Sequence, residues 1–108
     1  MQKHKLFWKG NNIGVFEEHS MDMGYLDGKF EPDNSDLARE FIEKSSNLDM
    51  RSVMINPVSG FRALLETKDS YKMNVLVLGI SSEYDISLKW INGKQETIDW
   101  FITNVPEE

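Results

Sequence analysis

Apolar and polar side chains alternate most regularly near the C-terminal end of the chain. There the apolar side chains occupy every second position, at Tyr84, Ile86, Leu88 and Trp90. Because successive side chains of a strand point to opposite faces, this alternation predicts a strand with one buried face. Residues 71–80 instead contain a continuous apolar run, which is typical of a central strand covered on both faces.

The N-terminal third of the chain predicts a hairpin followed by a less regular segment. Residues 5–9 and 13–17 form two candidate strands around Gly10-Asn11-Asn12, whose residues tolerate the backbone of a tight turn. Residues 23–30 hold two glycines and no clean alternation. We therefore expect an irregular strand or a loop in that last segment.

A second hairpin is predicted in the middle of the chain. Residues 51–57 and 61–67 flank Val58-Ser59-Gly60, which has the composition of a turn. The residues at 61–66 also fit a helix, and both possibilities stay open at this point. The strand is the prediction that we carry forward.

One segment has clear helical periodicity. Its apolar residues fall on one face at 3.6-residue spacing, at Leu37, Ala38, Phe41 and Ile42. The polar residues at 32–36 are dense in side chains that cap a helix start. A helix is therefore predicted from about Asp36 to Ser46. Since about three turns of helix cannot enclose a core alone, the helix must pack on a sheet.

The C-terminal segment is the most ambiguous part of the pattern. Asn92-Gly93 predicts a turn, and the favoured register is a bulged hairpin that pairs Trp90 with Lys94, Ile86 with Ile98 and Tyr84 with Trp100. The alternative is a helix, because another set of residues has helical spacing: Ile98, Phe101, Ile102 and Val105. The many β-branched and aromatic residues favour the strand, which is our prediction.

These elements predict an α+β fold built as one globular domain over residues 1–108. The sheet should be mainly antiparallel, with about six to eight short strands, and the single amphipathic helix should lie on it. The chain has 108 residues, which is close to the usual size of one domain.

The charge of the chain indicates which classes of partner it can bind. The net charge is −6, and residues 17–49 hold ten acidic against three basic side chains. Such a chain is not suited to nucleic acid, and a basic protein is the more complementary partner. No apolar run approaches the length of a bilayer span, and the start lacks a secretory signal, so no membrane partner is expected. Together with zero cysteines, this predicts a cytoplasmic protein.

Candidate chemistry is sparse. The chain has no nucleophile elbow and no phosphate-binding glycine loop, so we expect a non-catalytic protein without a cofactor. The exception is a short run of possible metal ligands, Glu17, Glu18, His19 and Asp22, whose carboxylate and imidazole donors suit zinc or manganese.

The leading functional hypothesis is an acidic interaction domain, such as an immunity-like inhibitor or a regulatory subunit. Its binding surface would combine apolar and acidic side chains of one segment: Met21, Asp22, Met23, Tyr25, Asp27, Glu31 and Asp33. One alternative is a domain that binds a small molecule or a metal, with or without catalysis. Another is a homo-oligomer that buries an edge strand or Trp100 against its own copy.

Overall fold

The six strands of the protein form one closed antiparallel barrel. A computed structural model describes residues 2–108. The strands are β1 (Gln2–Trp8), β2 (Asn11–Asp22), β3 (Tyr25–Pro32), β4 (Phe61–Glu66), β5 (Lys72–Ile80) and β6 (Asp85–Ile91). Their order around the barrel is β1-β2-β3-β6-β5-β4, and β4 returns to pair with β1. The predicted α+β class and the mainly antiparallel sheet are confirmed, but the sheet closes on itself.

Side chains from alternate strand positions fill the barrel with apolar groups. On β1, Leu6 and Trp8 point inward and are buried. On β5, the odd-numbered side chains Met73, Val75 and Val77 belong to the same core. The even-numbered Leu76 and Leu78 are also buried, in a second cluster on the outer side of the barrel. The prediction that residues 71–80 form a strand covered on both faces is therefore confirmed.

The predicted helix forms with the expected bounds, as α1 (Asp36–Ser46). The hydroxyl of Ser35 caps it by accepting a hydrogen bond from the Ala38 amide at 3.0 Å. The Phe41 ring lies 5.5 Å from Trp8, 5.4 Å from Phe30 and 5.6 Å from Phe61, measured between ring centres. Those three aromatic residues stand at the same end of the barrel. The helix therefore lies across one end of the barrel and contributes its apolar face to the interior.

Two predicted strands are wrong. Residues 51–57 form α2 (Met50–Ile55) and a 3₁₀ turn at Pro57–Ser59, and the C-terminal segment forms α3 (Gln95–Asn104). The predicted bulged hairpin at Asn92-Gly93 is therefore wrong as well, and the helical alternative is the observed one. In a closed barrel β6 already has β3 and β5 on its two sides, so no position remains for a further strand.

These two short helices instead cover the outside of β5. Val53 of α2 and Phe101 of α3 pack with Leu76 and Leu78, and Val105 completes this second cluster. Local propensity favoured strand pairing for both segments, but they form helices that bury their apolar side chains on the outer wall. No helix within residues 2–108 has the length and hydropathy needed to span a membrane.

Phe41→Ala should destabilise the protein by about 3–5 kcal/mol, because it removes a buried ring at the junction of three other aromatic residues. Chemical denaturation followed by circular dichroism measures the change. Tyr71→Ala is the matched control, since Tyr71 is 57% exposed, and should change stability by no more than about 0.5 kcal/mol. Equal effects of the two substitutions would contradict the position assigned to α1.

Candidate functional site

The candidate interaction segment forms the tip and one strand of the β2–β3 hairpin. Met23 and Gly24 make the turn, with φ angles of 53° and 84°. The Lys89 ammonium donates to the Met23 carbonyl at 2.8 Å, and the Trp90 amide donates to the Gly24 carbonyl at 2.8 Å. These bonds tie the turn to β6. The hairpin tip, defined here as residues 21–25, is therefore held in place by its neighbour.

Large apolar side chains project from this hairpin tip. Met21 is 53% exposed and Met23 is 86% exposed. Tyr25 is partly buried against the second apolar cluster, and the Lys89 ammonium lies 4.2 Å from its ring centre. Single exposed apolar residues are common on protein surfaces, but two flexible methionines on one anchored turn form the kind of adaptable contact found in binding surfaces.

The predicted acidic residues are spread along the hairpin and are not gathered in one patch. Asp22 stands at the tip, and Asp27 accepts a hydrogen bond from the Ser87 hydroxyl at 2.6 Å on the outer face of the barrel. Glu31 lies further along β3, 3.5 Å from the Lys3 ammonium. By the ladder register Met21 lies on the same face as the buried Leu26, whereas Asp22, Tyr25 and Asp27 lie on the opposite, outer face, and Glu31 lies further along it.

Asp33 has a local structural role at the far end of β3. Its carboxylate accepts hydrogen bonds from the hydroxyl and the amide of Ser35, the residue that caps α1. These two bonds hold the pKa of Asp33 below its ordinary value. Asp33 thus stabilises the start of the helix, at the end of the barrel opposite the hairpin tip.

The four proposed metal ligands point in different directions. The ladder of β2 and β3 is interrupted between Glu18 and Ser20, so His19 sits in a bulge. His19 and Glu17 share a hydrogen bond of 2.9 Å, whereas Glu18 contacts His4 and Asp22 is at the tip. Among residues 2–108 no three histidine or carboxylate side chains gather into a group able to hold a metal ion. The structure therefore does not assemble this site.

The contact between His4 and Glu18 inside the barrel was not predicted from the sequence. His4 is buried, stacks on Phe16 and has its Nε2 atom 3.0 Å from a Glu18 carboxylate oxygen. Its Nδ1 atom has no partner among the described residues. The sequence did contain one indication that His4 is buried. His4 stands two residues before Leu6 and four before Trp8, on the inward side of β1.

A cavity of about 410 Å³ lies beside His4, at the end of the barrel that α1 does not cover. It is lined by Gln2, Lys3, His4, Thr67, Lys68, Asp69 and Tyr71. Barrel mouths are common locations for small-ligand sites, and a buried polar atom without a partner calls for a water or a ligand. This mouth is thus the second feature of functional interest, after the hairpin tip.

The pKa of Glu17 lies below its ordinary value of 4.5, first because of its hydrogen bond with His19 and then because of Lys3. Its contribution to stability is therefore complete above about pH 4.5 and is lost as the pH falls through the lower folded-state pKa. His19→Gln should raise the Glu17 pKa, as measured by NMR titration of the carboxyl carbons. The Asp33 pKa serves as the internal control and should not move. An unchanged Glu17 titration would contradict the His19 contact.

Comparison with known proteins gives no relative. No protein-family model, no curated protein and no solved structure matches this chain. The function of the protein is therefore inferred from the geometry of the chain alone.

Proposed function

We propose that this chain is a non-catalytic interaction domain that binds a basic partner protein through the tip of the β2–β3 hairpin. The observation that carries the proposal is the exposure of Met21 and Met23 on an anchored turn around Asp22. The apolar side chains would supply the buried centre of the contact, and the acidic ones its rim. An inhibitor or a regulatory subunit in the cytoplasm is the role that we favour.

The register of the hairpin limits where such a partner can bind. Along the tip β3 is paired with both β2 and β6, whereas the ladder of β2 with β1 ends at Glu18 within the described residues. At this tip a partner strand could therefore extend the sheet only along residues 20–22 of β2, and side chains must provide the rest of the contact. The same short edge is the part of this hairpin tip through which a homo-oligomer could form. Trp100 remains half exposed on α3, so that part of the alternative stays a prediction.

The acidic side chains of this surface favour a basic partner, although the Lys89 ammonium bound to the Met23 carbonyl offsets part of their charge. The ammonium groups of Lys3 and Lys29 lie within ion-pair distance of Glu17 and Asp85, respectively, and neutralise part of the outer face. Asp22 and Asp27 make no ion pair with any residue in 2–108, so their charges are available to a partner. Exposed complementary charges mainly accelerate association and are screened by salt.

A second candidate function is small-ligand binding at the barrel mouth. The supporting observation is the cavity of about 410 Å³ beside His4, whose buried Nδ1 atom lacks a partner among the described residues. An NMR screen of small polar compounds should then shift the resonances of His4, Lys68 and Tyr71. These shifts should disappear in His4→Leu. Shifts that persist in this variant, or a screen without any shift at the mouth, would exclude this candidate.

The interaction proposal is tested by changing the hairpin tip and leaving the barrel intact. The triple variant M21S/D22N/M23S should capture at least tenfold less of a basic partner from native lysate, since anchor residues each contribute about 1 kcal/mol or more. The control M50S/M54S removes two other exposed methionines, on α2, and should capture as much partner as the unchanged chain. Quantitative mass spectrometry of the bound fraction, at low and high salt, measures both.

Two results would contradict the proposal. The tip variant would retain the same partner at unchanged yield, or the control would lose it to the same extent. Circular dichroism of both variants establishes that the barrel is folded before the capture is compared.

A further inference from the structure

The barrel is closed by a short ladder between β1 and β4. Only three residue pairs join these strands, from Lys5 with Glu66 to Phe7 with Leu64, whereas each of the other five ladders has at least five. The first residues of β4, 61–63, therefore extend beyond the pairing with β1. β4 therefore has a residual strand edge at the end where α1 lies.

The last residues of the chain cover this edge. The backbone amide of Arg62 donates to the Pro106 carbonyl at 2.8 Å, and the Arg62 guanidinium Nε donates to the Val105 carbonyl at 2.9 Å. The indole nitrogen of Trp8 donates to the Glu107 carbonyl. Three successive carbonyls of this segment are thus bound by Trp8 and Arg62, through one backbone bond and two side-chain bonds, so the segment covers the edge without forming a further strand.

The side chains of the same segment add charge to this contact. The carboxylate of Glu108 lies 2.6 Å from the Lys9 ammonium, and that of Glu107 lies 3.3 Å from the Arg62 guanidinium. The hydrogen bond with Glu108 holds the pKa of Lys9 above its ordinary value, and the same bond holds the pKa of Glu108 below its own. The basic side chains of Lys9 and Arg62 therefore complement an acidic segment.

The groove continues beyond the residues that now fill it. A cavity of about 270 Å³ extends from Glu107 along the outer side of β4 and reaches Lys72 and Asn74. Lys72 makes no ion pair within the described part of the chain. A longer acidic segment would consequently find a further cationic and amide contact that the chain's own residues do not use.

We propose that this seam groove, formed by Trp8, Lys9, Arg62, Lys72 and Asn74, is a binding site for an extended acidic peptide segment of a partner protein. Residues 106–108 are its built-in occupant and compete with the partner, whereas Val105 stays in the cluster on the outer wall of β5. The peptide class follows from the donors to three backbone carbonyls, and the acidic character follows from the two ion pairs. The groove lies on the outer side of β4, whose neighbours are β1 and β5 and neither strand of the β2–β3 hairpin, so it is independent of the basic-partner proposal.

The test uses the full chain, in a variant whose own C-terminal residues are repelled from the groove. In the variant E107K/E108K the two new ammonium groups face Lys9 and Arg62, which should lift the segment out of the groove. The probe is a fluorescent peptide with the sequence of residues 103–108, Thr-Asn-Val-Pro-Glu-Glu. Fluorescence anisotropy should show at least tenfold tighter binding to this variant than to the unchanged chain, whose own segment competes at a high effective concentration.

Three controls identify the groove as the binding site. Lys9→Asn or Arg62→Met, added to E107K/E108K, should weaken peptide binding at least tenfold. A peptide with glutamine in place of both glutamates should also bind at least tenfold more weakly. The indole N–H resonance of Trp8 should shift on addition of the acidic peptide, since this group donates to a carbonyl of the bound segment.

Three outcomes of these binding measurements would overturn the proposal. If circular dichroism shows E107K/E108K folded but the peptide does not bind it, the groove is not a peptide site. If hexaglutamate binds as tightly as the probe, the contact is unspecific attraction between charges. If the Arg62 and Lys9 variants bind as before, the peptide lies elsewhere on the molecule.

Discussion

Closure of the sheet between β1 and β4 is the constraint on which the other features depend. Once Leu6 pairs with Leu65 across this seam, every strand has two neighbours and the apolar side chains have a common interior. The C-terminal residues can then no longer join the sheet, so Phe101 and Val105 cover the outer wall of β5 instead. Because the seam has few residue pairs, the segment after α3 completes it through Arg62 and Trp8.

The two ends of the barrel differ in what they offer to other molecules. At one end Phe41 of α1 fills the opening, and the residual edge of β4 beside it is covered by residues 105–107. At the other end the interior finishes with His4 and a cavity, and the hairpin tip projects with Met23 exposed. A closed antiparallel barrel thus concentrates its binding possibilities at its two ends and at its seam.

Elements with a local sequence pattern were predicted correctly. Features that depend on closure of the barrel, through residues far apart in the sequence, were not predicted. Helix α1 could be placed because its caps and apolar spacing lie within a few residues. On β2, Ile13 and Phe16 are both buried although they are three positions apart, since a bulge next to Gly14 shifts the alternation. Of the candidate site, the apolar residues Met21 and Met23 were selected from the sequence, but the turn at Met23 and Gly24 was not predicted, because residues 23–30 show no clean alternation. The inward position of Glu18 and the covering of Trp8 by Glu107 depend on partners far away in the sequence.

Amide hydrogen exchange at Arg62 tests the central claim, that the barrel is closed and that the C-terminal residues complete its seam. The account predicts slow exchange of the Arg62 amide, which bonds to Pro106, and similarly slow exchange of the amides in the ladder at residues 5–7 and 64–66. Exchange at the rate of a free strand edge at these positions, with slow exchange kept in β5, would show an open sheet and contradict the account.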